Sequence, residues 1–163
     1  MLVPFVQTPH SNALRDARSG QAAAAQPAAE PNIPQRAAKI LPRRVLVVDD
    51  EALLRWSLAE MLTTIGYHVV EARDGREARL AFADAAHPID AVLLDLKLPD
   101  ASGVQLLREA RARCLTCPII VMTAFGAAET VDAALAGGAI QVVTKPFDLD
   151  DMLRLVRRVC PFE

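Results

Sequence analysis

Cysteine, aromatic residues and long apolar runs are scarce in this chain of 163 residues, which has three cysteines and 4% aromatic residues. Three cysteines are too few for a disulfide framework. No apolar run approaches the ~18–20 residues of a membrane-spanning helix. The segment MLVPFVQTPH lacks the basic region that begins a secretory signal. These absences predict a cytoplasmic location and no membrane contact.

An excess of positive charge is also lacking, because the formal net charge is −2. The first 42 residues carry four Lys/Arg and two Asp/Glu, and the rest carry fourteen and eighteen. Nucleic acid is bound largely through basic side chains that neutralise phosphates. The mildly acidic body therefore predicts no direct binding to nucleic acid.

The composition, with 52% hydrophobic and 23% charged residues, is that of a globular protein. Prolines at positions 4, 9, 27, 31, 34 and 42 and an alanine run at 22–25 mark residues 1–42 as a disordered extension. A docking or targeting segment is the open alternative for these residues. The predicted division is an extension over 1–42, one domain over 43–160 and a short tail over 161–163.

Five short apolar runs alternate with five helical patterns after residue 43. The predicted strands are 45–48, 67–71, 90–95, 118–123 and 140–143. The helices follow them, with Gly66 predicted just after the first and Asp74 and Asp148 as caps of the second and last. Continuous apolar strands between helices indicate a parallel sheet buried on both faces. The predicted fold class is therefore α/β, a doubly wound five-stranded parallel sheet with five helices.

Polar residues follow four of the predicted strands. Asp49 and Asp50 follow the first, Asp95 ends the third, Thr123 ends the fourth and Lys145 follows the fifth. In such a sheet, functional residues gather at the carboxyl ends of the strands. Clustered carboxylates repel one another unless a cation lies among them, and an all-oxygen acidic site suits Mg²⁺. The amine and the hydroxyl are suitable donors to phosphate oxygens.

Four segments carry a resemblance to a known family: VLVVDDE (45–51), VLLDLKLPDASG (92–103), VMTAFG (121–126) and VTKPF (143–147). Over about residues 43–160 the chain resembles a response-regulator receiver domain of two-component phosphorelay signal transduction, with the flavodoxin-like receiver fold. The segments LRWSL and TAFG…KPFDLDDM are similar to the receivers of nitrogen-regulation-type activators. Because the last predicted helix ends near the end of the sequence, we expect a stand-alone response regulator.

The resemblance implies a phosphoacceptor and a metal site. Asp95 matches the residue that becomes 4-aspartylphosphate. Asp49, Asp50 and Asp95 match the Mg²⁺ ligands, together with the backbone carbonyl of Lys97. The expected activity is limited to self-phosphorylation and self-dephosphorylation, so the chain is not expected to be an enzyme with a separate substrate.

Two further residues have implied roles in the switch. Thr123 matches the hydroxyl that moves toward the phosphoryl group, and Lys145 matches the lysine that pairs with it. Lys145–Pro146 is expected to be a cis peptide bond. Val142 stands where receivers usually carry Tyr or Phe, which leaves the route of the conformational readout open.

The resemblance also implies partners. A sensor histidine kinase or a phosphotransfer protein would supply the phosphoryl group, and the downstream protein partner is unknown. Leu53, Arg55 and Trp56 on the first helix are candidate docking residues. Small residues on the fourth helix permit close packing, so a homodimer through the fourth and fifth helices is compatible with the sequence.

Two other functions remain open. A phosphorylation-independent pseudo-receiver that acts as a protein-interaction module is favoured by Val142 alone. A phosphohydrolase with an aspartyl nucleophile typically shows D-x-D, whereas Asp95-Leu96-Lys97 lacks the second acid. Lys97 and Phe125 are hypothesised to lengthen the life of the acyl phosphate by hindering water.

Cys114 and Cys117 form a C-x-x-C at a helix end, whereas a redox pair would begin a helix after a strand. We therefore interpret both cysteines as incidental small apolar residues.

Overall fold

The structure, a computed structural model, describes residues 42–113, 116–124 and 126–162. These residues belong to one compact unit, and the predicted extension over 1–42 lies outside them except for Pro42. The strands are β1 (Arg44–Val48), β2 (His68–Ala72), β3 (Ala91–Asp95), β4 (Ile119–Thr123) and β5 (Gln141–Thr144). The helices are α1 (Ala52–Thr64), α2 (Gly75–Ala83), α3 (Gly103–Arg113), α4 (Ala128–Ala136) and α5 (Leu149–Val159).

The five strands form one parallel sheet in the order β2-β1-β3-β4-β5. Strand residues alternate between two buried cores. One core joins Leu46, Val92 and Val121 to α2, α3 and α4, and the other joins Val47 and Met122 to α1 and α5. The predicted doubly wound α/β architecture is therefore confirmed.

Helix ends follow from local chemistry where the sequence predicts them. Gly66 lies just past α1 with φ 104°, where its N–H donates to Thr63 O (3.0 Å) and the N–H of Tyr67 donates to Leu62 O (3.1 Å). This is the hydrogen-bonding pattern that a glycine at the end of a helix permits. Asp148 caps α5 by accepting hydrogen bonds from the N–H groups of Asp150 and Asp151. Both predictions are confirmed.

The beginning of β2 differs from the prediction by one residue. Tyr67 is buried before the strand, its hydroxyl donates to Cys160 O (2.6 Å), and its ring lies 4.4 Å from that of Phe162. The N–H of Tyr67 donates to Leu62 O at the end of α1 rather than to the sheet, so the ladder begins at His68. A strand pattern read from neighbouring residues does not contain that information. Among the described residues, no helix is long and apolar enough to span a bilayer.

Candidate functional site at the carboxyl edge of the sheet

The polar residues predicted to converge do meet at one edge of the sheet. Asp49 directly follows β1, Asp95 ends β3, and Thr123 ends β4. All three are buried. Lys145 follows β5, and its backbone N–H donates to Thr123 O (2.8 Å). The parallel register therefore brings groups from four strands together.

The ammonium of Lys145 lies at the centre of this group. Its Nζ is 2.6 Å from Asp95 Oδ2, 2.8 Å from Asp49 Oδ2 and 3.1 Å from Glu51 Oε1. An ammonium has three hydrogens to donate. Lys145 therefore has an acceptor for each hydrogen and links two buried carboxylates to one exposed carboxylate.

Burial and hydrogen bonding shift the pKa values of Lys145 and Asp49. Burial alone would lower the pKa of Lys145, but the hydrogen bonds to Asp49, Asp95 and Glu51 outweigh it and raise the pKa above its ordinary value. Burial raises the pKa of Asp49, and the hydrogen bonds from Lys145 and the Glu51 N–H only partly oppose it. A buried carboxylate is stabilised by a nearby cation. The edge is thus a site where positive charge is favourable.

The second oxygen of each buried aspartate is held by the backbone. Asp49 Oδ1 accepts from the N–H of Glu51, and Asp95 Oδ1 accepts from the N–H of Lys97, both at 2.8 Å. Each side chain thus folds back onto the residue two positions later. Both carboxylates are therefore fixed in orientation before any ligand binds.

The acidic cluster differs in one member from the predicted set of metal ligands. Within the described part of the chain, the acids close enough to hold one ion together are Asp49, Glu51 and Asp95, each with an oxygen within 4.8 Å of the others. Asp50 is exposed, and the structure places it outside this cluster. Sequence reasoning missed Glu51, although its position beside two aspartates at a strand end was a usable signal. The all-oxygen donor set fits Mg²⁺.

The loop after β3 is shaped by close packing. Lys97 and Ser102 form an isolated antiparallel bridge across it. A Cβ on Gly103 would lie 2.2 Å from Leu96 Cα and 2.4 Å from Leu96 O, so a side chain there would collide with backbone. Asp100 accepts from the N–H groups of Gly75 (2.8 Å) and Arg76 (3.0 Å) at the beginning of α2. The loop that contains Lys97 is therefore held at its end by the packing of Gly103 and at its middle by the hydrogen bonds of Asp100.

Residues of α1 separate into two groups. Leu53 is 76% exposed and Trp56 is 56% exposed. Arg55, by contrast, has a side chain only 16% exposed, with Nη1 donating to Asp49 O at 2.6 Å. The structure leaves Leu53 and Trp56 available to a partner but turns Arg55 toward the acidic site.

Three other predicted features have definite outcomes. Lys145–Pro146 is a cis peptide bond, as predicted. Cys117 is disulfide-bonded, so the interpretation of Cys117 as incidental is wrong, while Cys160 is a free, buried thiol. Phe125 and Cys114 lie outside the described residues.

Comparison with known proteins agrees with the geometry. The family model for the response regulator receiver domain matches residues 45–157. The regulatory protein AtoC of Escherichia coli (strain K12) is 41% identical over 115 residues, which cover 71% of this chain but 24% of AtoC. The chain therefore spans about a quarter of the length of this relative.

Solved structures with a similar fold include the CheX-CheY-BeF3-Mg+2 complex from Borrelia burgdorferi. It has a TM-score of 0.67 and 29% identity, covering 73% of this chain and 90% of that one. A response regulator from Burkholderia pseudomallei, solved with a phosphorylated aspartic acid, calcium ion and citrate, has a TM-score of 0.62 and 28% identity. That match covers 68% of this chain and 64% of the other.

Proposed function

Because this chain belongs to the response-regulator receiver domain family, we propose that it is a Mg²⁺-dependent phosphoacceptor switch. In this proposal Asp95 accepts a phosphoryl group from a sensor histidine kinase or a phosphotransfer protein. The observation that carries the proposal is the buried Asp95 carboxylate held 2.6 Å from Lys145 Nζ at the carboxyl edge of the sheet. The phosphorylated aspartic acid of the Burkholderia relative supports the same chemistry.

The transfer step uses the Asp95 carboxylate as a nucleophile toward phosphorus. A bond forms between a carboxylate oxygen of Asp95 and phosphorus while the bond from phosphorus to the donor's imidazole nitrogen breaks. The imidazole leaves as a neutral ring once it retains or takes up one proton. A cavity of about 360 Å³ lies beside Lys145 and is lined partly by Leu54, Pro146 and Phe147. In this proposal the imidazole ring of the donor approaches from this side.

The metal would be held by oxygens of Asp49, Asp50 and Asp95 and by the carbonyl of Lys97, with Glu51 close to the same place. The cluster of Asp49, Glu51 and Asp95 supports the places of Asp49 and Asp95 in this set. The places of Asp50 and the Lys97 carbonyl rest on membership of the family. When bound, Mg²⁺ would neutralise negative charge on the phosphoryl oxygens. The backbone hydrogen bonds to Asp49 and Asp95 keep their carboxylates oriented for this task.

Lys145 and Thr123 would stabilise the phosphorylated state. Lys145 now donates to Asp95 Oδ2, and in the proposed state it would donate to a phosphoryl oxygen instead. The hydroxyl of Thr123, at the end of β4, would donate to another phosphoryl oxygen. Phosphorylation then favours the conformation with these contacts, which is a shift between two populations.

Other parts of the proposal concern the surroundings of the switch. Leu53 and Trp56 are the proposed docking residues for the phosphoryl donor, because both are apolar and exposed near the site. We propose an extension over residues 1–42, a receiver domain over 43–160 and a tail over 161–163. We also propose that two copies of the chain can pair through α4 and α5. A cytoplasmic location follows from the proposed donor, because the ATP that supplies such kinases is cytoplasmic.

Acetyl phosphate tests the proposal directly. The full chain is incubated with it, with and without Mg²⁺, and the intact mass is measured. We expect a Mg²⁺-dependent gain of one HPO₃ unit in the wild type and in Asp132→Asn, a control on exposed α4, but not in Asp95→Asn. A folded, Mg²⁺-binding wild type with no adduct would contradict the proposal and favour the pseudo-receiver, for which Val142 is the one supporting feature.

A further inference from the structure

We propose that Arg55 is a positioning residue for the metal site, acting through the backbone that carries Asp49 and Asp50. This inference rests on the proposed function, because it concerns how the Mg²⁺ ligands are held. Its starting point is the unusual environment of Arg55, a basic side chain on the first turn of α1 that is 16% exposed. Arginine is seldom this buried unless its guanidinium is paired.

The guanidinium joins two separate strands. Nη1 donates to the carbonyl oxygen of Asp49 just after β1 (2.6 Å), and Nε lies 3.3 Å from Oε2 of Glu71 on β2. The sheet register aligns Glu71 with Val47, two residues before Asp49. Arg55 therefore connects residues 49–51, the acidic turn after β1, with the neighbouring strand β2.

The Asp49 carbonyl belongs to the peptide unit that joins Asp49 to Asp50. On the other side of Asp49, its N–H donates to Ala72 O at 3.0 Å. The N–H of Arg55 also donates to Glu51 O at 3.0 Å, which fixes the end of the turn to α1. Asp50 is exposed, so the direction in which its side chain leaves the chain is set by this backbone. Holding the Asp49 carbonyl therefore fixes the Cα–Cβ direction of Asp50, from which its carboxylate can turn toward a bound ion.

The choice of arginine follows from geometry and charge. A guanidinium has five N–H donors in a rigid fork, so Nη1 contacts Asp49 O while Nε contacts Glu71. A lysine would need its one nitrogen within hydrogen-bond distance of both acceptors. Glu71 compensates the positive charge of Arg55, which would otherwise repel a cation bound nearby. The pair thus orients the acidic turn while leaving it negative overall.

The test is a Mg²⁺ titration of the ¹⁵N-labelled full chain without any phosphoryl donor. The dissociation constant is taken from the backbone amide shifts of residues 49–51 and 95–97. Outer contacts of metal ligands typically alter metal affinity 10–100-fold, so we expect Arg55→Ala to weaken Mg²⁺ binding about 10-fold. Arg55→Lys, which keeps the charge and one contact, is expected to recover about half of that loss on a logarithmic scale.

Two more variants separate positioning from general damage. Glu71→Gln keeps the bond to Asp49 O but leaves Arg55 uncompensated, so Mg²⁺ binding should weaken by less than in Arg55→Ala. Arg108→Ala, at an exposed position of α3, is the matched control and should leave the dissociation constant unchanged. If Arg55→Ala fails to fold, Arg55→Lys and Glu71→Gln decide the question.

The Mg²⁺ dependence of phosphorylation by acetyl phosphate gives the second readout. A positioning role shifts the Mg²⁺ midpoint by the same factor as the dissociation constant, while the rate at saturating Mg²⁺ stays close to that of the wild type. A folded Arg55→Ala with unchanged Mg²⁺ affinity, or a rate loss that saturating Mg²⁺ does not restore, would overturn the inference. A wild type that binds Mg²⁺ but is not phosphorylated would refute the proposed function alone.

Discussion

A basic side chain meets an aspartate at both edges of the sheet, but the two pairs lie in different surroundings. At the amino edge, Arg43 Nη1 is 3.1 Å from Asp90 Oδ1, and both side chains are about one-third exposed, at 32% and 30%. At the carboxyl edge, Lys145 and Asp95 are 10% and 4% exposed. An exposed pair exchanges easily with water, whereas breaking a buried pair leaves a charge without a partner. The same pair of charges therefore joins two strands at the half-exposed amino edge and forms part of a buried site at the carboxyl edge.

The largest expected effect comes from removing the buried cation. Lys145→Met leaves the buried Asp49 and Asp95 carboxylates facing each other, so the free energy of unfolding at pH 7 should fall by about 3 kcal/mol. Urea unfolding monitored by circular dichroism measures the loss. Added Mg²⁺ should recover part of it, because a metal replaces the missing positive charge. An unchanged stability would mean that the buried pair is not different from the exposed one.

A glycine in the loop of the same edge comes next. Gly103→Ala would place a Cβ 2.2 Å from Leu96 Cα, and the resulting shift of backbone should lower the free energy of unfolding by about 2 kcal/mol. Because the loop contains Lys97, Mg²⁺ binding should weaken as well. Arg108→Ala, at an exposed position of α3, serves as the control, with little change in either quantity. If Gly103→Ala is destabilised but binds Mg²⁺ with normal affinity, the shape of the loop does not determine Mg²⁺ binding.

The pH dependence of the buried pair sharpens the comparison. The folded state raises the pKa of Lys145 above its ordinary value of 10.5, so the stability from Lys145 is fully present below that pH. It is lost as the pH rises through the folded value. The difference in unfolding free energy between the wild type and Lys145→Met should therefore stay constant from neutral pH and shrink above 10.5. A decline that begins well below this pH would contradict the assignment.

The smallest effect is expected at the amino edge. Asp90→Asn removes the charge that faces Arg43 but keeps an oxygen that can accept the N–H of Arg44, now 2.7 Å from Asp90 Oδ2. Exposed ion pairs contribute little, so urea unfolding should show a loss below about 1 kcal/mol. Added salt should lower the stability of the wild type toward that of this variant. If Asp90→Asn lowered the free energy of unfolding as much as Lys145→Met does, the exposed and the buried ion pair would not differ in their contribution to stability.

Much of the fold and site could be predicted because the relevant signals are local. Apolar strands of four or five residues, Gly66 after α1 and Asp148 before α5 each depend on residues that are neighbours in sequence. The meeting of Asp95 and Lys145 follows from topology, since parallel strands bring their carboxyl ends to one edge.

What the sequence did not reveal depends on contacts between distant residues. Arg55 lies beside the exposed Leu53 and Trp56 in sequence, and its contacts with Asp49 O and with Glu71 on β2 show that it faces inward. The hydrogen bonds that Asp100 accepts from the N–H groups of Gly75 and Arg76 join residues 25 and 24 positions apart. The position of Glu51 beside two aspartates was a local signal for the acidic site, but its contact with Lys145 joins residues 94 positions apart.

The most direct test of the central claim locates the phosphoryl group on the chain. After reaction with acetyl phosphate and Mg²⁺, borohydride reduction converts an aspartyl phosphate to homoserine, and peptide mass spectrometry identifies its position. We predict homoserine at position 95 and unmodified aspartate at positions 49 and 50. Homoserine elsewhere, or none in a folded protein that binds Mg²⁺, would contradict the account of Asp95 as the phosphoacceptor.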